Sequence, residues 1–211
     1  MTITIPDWPG HGALSQHRRI ARYVWLCDLE GVSVILKFAA GPVRVAALAH
    51  EAAMLRKLAP TGVAPRLIAY AELGGRARLV MTHLRGQHPF ARLDPDGGSI
   101  RALHRAVRLA HDAGVVHCDL KPSNVLLRQG RAWVIDWGMA AHHGARVADL
   151  ARRPYSSGWT HPDLIWGRGL VRPAHDLHAL ARFCGPQGAV TSAPIALQAG
   201  DQVREAGQHV H

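Results

Sequence analysis

His117-Cys118-Asp119-Leu120-Lys121-Pro122-Ser123-Asn124-Val125-Leu126-Leu127, answered a few residues later by Val134-Ile135-Asp136-Trp137-Gly138, decides the reading of this chain. The apolar triplets Val125-Leu126-Leu127 and Trp133-Val134-Ile135 flank Arg128-Gln129-Gly130-Arg131, the pattern of two short strands joined by a tight turn. Such a hairpin returns Asp136 to the side of Asn124, so one carboxylate and one amide converge on a single point. Taken alone, an Asp before a Leu or an Asn in a loop is a turn or cap residue. In this order, with a hairpin between them, they form a constellation.

The set His-x-Asp-Leu-x-x-x-Asn followed by Asp-aromatic-Gly resembles the catalytic loop and metal-binding motif of the protein-kinase superfamily. The resemblance implies an α+β, bilobal fold: a small antiparallel sheet with one helix, then a reduced, mainly helical second lobe. It also implies ATP and Mg2+ as cofactors. Phosphoryl transfer asks little covalent chemistry of a protein. It needs one carboxylate to orient an attacking hydroxyl and take its proton, and oxygen ligands for magnesium. Asp119 suits the first role, and Asn124 and Asp136 the second. His117 is expected to be a packing and hydrogen-bonding residue beneath the loop, without chemistry of its own.

A chain of 211 residues suits one large domain or two small lobes. No apolar run approaches the ~20 residues of a membrane span. The first residues, Met1 to Trp8, lack a basic segment followed by an apolar core, so no leader is expected. Cys27, Cys118 and Cys184 are odd in number and scattered, which fits a reducing, cytoplasmic setting and neither a disulfide framework nor a zinc site. The fifteen histidines form no ligand pattern in the sequence. The net charge of +10 is compatible with an anionic partner. However, the arginines are spread without a block, so specific nucleic-acid binding is possible but not favoured. Lysine is scarce: Lys37, Lys57 and Lys121 are the full set.

Along the chain, Thr2 to Trp8 alternates as a strand would, Gly10-x-Gly12 follows, and Arg18 to Leu29 and Val32 to Phe38 read as two strands joined at Asp28 to Gly31. By the resemblance, Gly10 and Gly12 stand where a glycine loop lets backbone N–H groups approach phosphates, although the third glycine of that loop is absent. Val34-Ile35-Leu36-Lys37 resembles the strand whose lysine holds nucleotide phosphates. Val43 to Leu58 has helical periodicity, with Val45, Leu48, Ala52 and Leu55 on one face and Glu51 on the same side. An acid there costs free energy unless paired, and Lys37 is its natural partner. Two further strands, Arg66 to Ala71 and Ala77 to Met81, turn at Gly74-Gly75. By the resemblance Met81 flanks an adenine pocket, and backbone groups of Thr82, His83 and Leu84 bond the base.

Ser99 to Ala113 reads as a helix, with Ser99 at its N-cap and Gly114 as its stop. His161-Pro162-Asp163 resembles the end of a kinase activation segment, with Ser156 and Trp159 where the family usually has threonine and tyrosine. Arg172 to Leu180 resembles the start of the central helix of the second lobe, with Asp176 accepting hydrogen bonds from the catalytic-loop backbone. The expected kinase-like domain is 1–185, divided into 1–84 and 85–185, and 186–211 reads as a loose tail. In size this is nearer to compact atypical kinases, such as the one that works with threonylcarbamoyl-tRNA machinery or the lipopolysaccharide-core sugar kinases, than to signalling kinases.

Two departures bear on function. Cys118 replaces an arginine that neutralises a phosphorylated activation segment in regulated kinases, which argues against that switch. Lys121, in Asp-x-Lys-x-x-Asn, resembles the lysine that contacts the transferred phosphate in Ser/Thr kinases, which favours a protein substrate. Two alternatives stand beside that reading. One is a kinase of a non-protein acceptor (sugar, lipopolysaccharide core or small molecule); the other is a silent pseudokinase serving as a binding module.

Overall fold

The computed structural model describes residues 14–89, 93 and 97–184, excepting the side chains of 15–17. Gly10, Gly12, the Thr2 to Trp8 strand and the 186–211 tail lie outside the described residues. The first half is a five-stranded antiparallel sheet of β1 (Leu14–Ala21), β2 (Val24–Leu29), β3 (Val32–Ala40), β4 (Leu67–Leu73) and β5 (Arg76–Thr82), in the order β1-β2-β3-β5-β4. Helix α1 (Pro42–Leu58) connects β3 to β4 and packs on one face of this sheet.

Alternation along β3 sets the faces. Ile35 and Ala39 join α1 in the main core, while Val34 and Leu36 pack with Cys27, Ala69 and Val80 on the other side. With a period of two, Lys37 shares the face of Ile35 and points toward α1. On α1 the buried Leu48, Ala52 and Leu55 bracket Glu51, which is itself only 4% exposed. Sheet pleat and helix pitch therefore bring the ammonium and the carboxylate to one place.

The expected single strand from Arg18 to Leu29 is two strands. The chain reverses at Arg22-Tyr23, where Tyr23 has φ 65°. Tertiary contacts hold that left-handed residue: its carbonyl accepts the Phe38 N–H at 3.0 Å, and its hydroxyl accepts from Arg44 on α1 at 3.0 Å. The turn between β1 and β2 thus contains no glycine.

In the second half, α2 (Gly98–Asp112) leads through Gly114 into β6 (Val115–Val116) and the stretch from His117 to Asn124. Gly114, at φ 73°, takes the left-handed conformation that stops the helix. Ser99 is not its cap. Gly97 occupies that position in extended conformation, and its carbonyl already accepts the Arg101 N–H, so the helix begins ahead of Ser99. The expected hairpin is β7 (Val125–Arg128) and β8 (Arg131–Val134), closed by Gln129 at φ 49° and Gly130 at φ 72°. Two positive φ values mark the mirror-image turn that matches strand twist. β9 (Ala141–His142) pairs with β6, and α3 (Pro162–Trp166) and α4 (Ala174–Cys184) complete the described residues.

Asp176 on α4 is 1% exposed and fully used. Its two oxygens accept the backbone N–H groups of His117 at 2.8 Å and Cys118 at 2.9 Å, and His111 Nε2 lies 2.9 Å away. Asp176→Ala would strand these donors in a dry interior. We expect a loss of about 3–5 kcal/mol in urea unfolding. A loss under ~1 kcal/mol would mean that water replaces the carboxylate and that the loop is held elsewhere.

Candidate active site

Lys37 lies at the centre of the cleft. Its Nζ donates to Glu51 Oε1 at 2.7 Å and Oε2 at 2.9 Å, and to Asp136 Oδ1 at 3.1 Å. Burial alone would lower the Lys37 pKa, but the two carboxylates outweigh it and hold the ammonium above its ordinary value. For Asp136, burial pushes the carboxyl up, while Lys37 pulls it down more strongly and leaves it below the usual range. Burial also pushes Glu51 up, against the pull of Lys37. At neutral pH the cation is firmly charged, and Asp136 remains an anion with its side chain half-exposed to the cleft.

Asp136 itself has φ 63°. A left-handed non-glycine residue costs roughly 1–2 kcal/mol and persists only where neighbours over-determine it. Those neighbours are visible. Ile135 N–H is fixed by the Asn124 carbonyl at 2.9 Å, and the following Trp137 is buried, donating from Nε1 to the Val134 carbonyl at 2.8 Å. Trp137 meets His117 edge to face, with ring centroids 4.7 Å apart. His117 also bonds the Ile135 carbonyl through Nε2 and accepts the Asp119 N–H on Nδ1. It is a buried strut, as the sequence implies. On α1, His50 Nε2 lies 2.6 Å from the Ala140 carbonyl, a second tie between the helix and this segment.

Asp119, 9% exposed, is linked to this group through Lys121, whose charge also helps hold the Asp136 carboxyl down. Lys121 Nζ donates to its Oδ2 at 2.7 Å, Ser156 Oγ donates to its Oδ1 at 2.7 Å, and Lys121 also donates to Ser156 Oγ at 3.0 Å. Asn124 is 4% exposed, and its Nδ2 donates to the Asp119 carbonyl at 2.9 Å. That bond commits the amide nitrogen and leaves the amide oxygen for a ligand. A carboxylate and an amide oxygen are the hard donors that magnesium takes, so Asn124 and Asp136 fit that ion.

The remaining sequence candidates divide. Met81, buried on β5, pairs with Ile35 of β3 beside the cleft. Thr82 is less available than expected: its N–H donates to the Arg66 carbonyl, and its hydroxyl accepts the Arg66 N–H. The Thr82 N–H is therefore already engaged, which leaves His83 and Leu84 as the candidate base-binding backbone. Gly10 and Gly12 lie outside the described residues. Sequence reasoning placed Ser156 in the activation segment without a role in the site, and it missed His50 altogether. The only sequence signal for Ser156 is its position ahead of Thr160-His161-Pro162; Thr160 Oγ1 accepts the Ser156 N–H at 2.8 Å. Burial pushes the Cys118 thiol far up, which makes it a packing residue and no nucleophile.

The protein kinase domain model matches residues 50–184, more than half of the chain, and the chain belongs to that family. A solved kinase, PK-1 of the Cydia pomonella granulovirus, superposes with a TM-score of 0.64 over 81% of this chain and 68% of its own, at 15% identity; it shares the fold. Serine/threonine-protein kinase PknD of Protochlamydia amoebophila is 46% identical over 56 residues, 23% of this chain and 6% of that protein. KEOPS complex subunit Bud32 of Pyrococcus abyssi is 45% identical over 40 residues, 19% of this chain and 18% of that protein. The chain thus matches only a small share of the length of these relatives.

The Lys37–Glu51 pair is testable through stability alone. Lys37→Met leaves a buried carboxylate without its main partner and should cost about 3–5 kcal/mol in urea unfolding. Lys37→Met with Glu51→Leu removes both charges and should recover most of that loss. Additive losses in the cycle would show that the two side chains do not act as a unit.

Proposed function

We propose that this chain is an ATP-dependent phosphotransferase that moves the γ-phosphate onto a hydroxyl, most directly a serine or threonine of a protein. The observation that carries this reading is the linkage of two carboxylates: Asp119, held by Lys121 and Ser156, and Asp136, bonded to Lys37 and also felt electrostatically by Lys121. Magnesium-bound ATP would supply the phosphoryl group and part of the charge neutralisation. The residues do the rest by placement. Lys37, oriented by Glu51, presents a fixed positive charge to phosphate oxygens. Asn124 and Asp136 offer the metal ligands. Asp119 accepts the hydrogen bond of the acceptor hydroxyl and takes its proton, while Lys121, 2.7 Å from that carboxylate, balances charge as it develops. The local match to the serine/threonine-protein kinase PknD supports the protein acceptor.

A second reading, a binding module without turnover, draws support from the β1–β2 turn. Arg22-Tyr23 stands there without a glycine to let phosphates approach the backbone. The two readings part on Asp119. Under the first, Asp119→Asn keeps the rise in melting temperature given by Mg-ATP. Transfer of labelled γ-phosphate to lysate protein then falls by about 10²–10⁴-fold. Asp136→Ala instead removes the magnesium-dependent part of the thermal shift. Label found only in a sugar or lipid extract would move the acceptor to a non-protein hydroxyl. Absence of transfer by the wild-type chain to every fraction would sink the enzyme reading and leave the binding module.

A further inference from the structure

Away from the cleft, the end of the segment that follows Asp136 is gathered against α4 by imidazoles. His161 caps α3, its Nδ1 accepting the Asp163 N–H at 3.1 Å. Its ring centroid lies 5.0 Å from that of His175 and 4.9 Å from that of His178. His175 and His178 are three residues apart on α4, so helical pitch places them on one side. Asp163 enters from the first turn of α3, with Oδ2 3.7 Å from His161 Nδ1. One ligand atom from each of His161, Asp163 and His175 lies within 4.8 Å of the other two.

We propose that His161, Asp163 and His175 form a site for a divalent transition metal of the zinc class, with its fourth position open to water. Two ligands on a tetrahedral zinc, each about 2.0–2.2 Å from the ion, stand roughly 3.3–3.5 Å apart. The His161–Asp163 pair is nearly there, and the third ligand closes by about an ångström through side-chain rotation. Ligation at His161 Nδ1 replaces the hydrogen bond from Asp163 N–H, and His175, whose Nδ1 accepts the Arg172 N–H at 3.3 Å, keeps that bond by ligating through Nε2.

The chemistry of the donors points the same way. Two imidazoles and one carboxylate suit zinc, cobalt or nickel, whereas magnesium and calcium prefer oxygen throughout. This separates the site from the all-oxygen pair in the cleft. His175 is 4% exposed. The His161 ring meets His175 tilted at 46° and His178 edge to face at 72°, and the Asp163 carboxylate adds an oxygen donor 3.7 Å from His161 Nδ1.

An ion here would join two pieces of chain that both position Asp119. His161 follows Thr160, whose hydroxyl holds the Ser156 N–H, and Ser156 bonds Asp119. His175 precedes Asp176, which holds the backbone at His117 and Cys118. The site would therefore act as a clasp between the activation segment and α4.

The test uses the full chain stripped with a chelator and titrated with Co2+ as a spectroscopic stand-in for zinc. One equivalent should give the intense visible d–d band of a four-coordinate site; Zn2+ should abolish the band and raise the melting temperature. His161→Gln and Asp163→Asn, both at partly exposed positions and each checked for a native circular dichroism spectrum, should weaken Co2+ binding by at least about 10-fold. The chain carries other histidines, so His142→Gln with His143→Gln, and separately His209→Gln with His211→Gln, are controls that should keep the band. Asp136→Ala should keep it too. The proposal is overturned if wild type gives no band, if His161→Gln and Asp163→Asn bind Co2+ as wild type does, or if any control variant loses the band.

Discussion

An ammonium group held between two carboxylates is the constraint on which the cleft depends. Lys37 belongs to the sheet, Glu51 to α1 and Asp136 to the segment after the β7–β8 hairpin, so a single cation joins three parts of the chain that are distant in sequence. Such a group is expensive to bury, and its presence adds little to stability compared with an apolar core of equal volume. What it adds is specificity of position. The helix cannot rotate, nor the segment swing away, without leaving a charge uncompensated. The His50 contact to Ala140 reinforces the same closure from the outer side of α1.

The stretch from His117 to Asp136 is held differently, with strain offset by buried acceptors. Cys118 and Asp136 both have left-handed backbones, at φ 65° and 63°. Asp176 accepts the successive backbone N–H groups of His117 and Cys118, and the His117–Trp137 contact props the turn at Asp136. These conformations lie on either side of Asn124, which bonds the Asp119 carbonyl through its amide and the Ile135 N–H through its carbonyl. A relaxed backbone at either point would turn a carboxylate elsewhere, so the strain is part of how the site is built.

Much of this was legible in the sequence wherever a local rule and a chemical need coincided. The β7–β8 hairpin is marked by two apolar triplets around a Gln-Gly turn, and the Lys37–Glu51 pair by an acid on an apolar helix face. The β1–β2 turn was not legible. Arg18 to Leu29 contains no glycine or proline, and Tyr23 is a good strand former. Only contacts with Phe38 and Arg44, well along the chain, force its reversal. Ser99 misled because a hydroxyl is the better cap by type, yet the extended Gly97 came first. Ser156 and His50 escaped for another reason. Their partners lie 37 and 90 residues away, and no periodicity reports on such a distance.

One hydrophobic cluster runs without interruption from Ile35 and Leu79 in the sheet, through Leu55 and Trp137, to Leu103, Val125 and Leu180 in the helical half. Two lobes separated by a wet seam could open and melt one at a time. A shared dry core gives them no such independence, because packing lost in one half removes contacts from the other. A methyl group lost from Leu180 on α4 therefore weakens the same core that seats Leu48, Ala52 and Leu55, the residues that hold Glu51 facing Lys37.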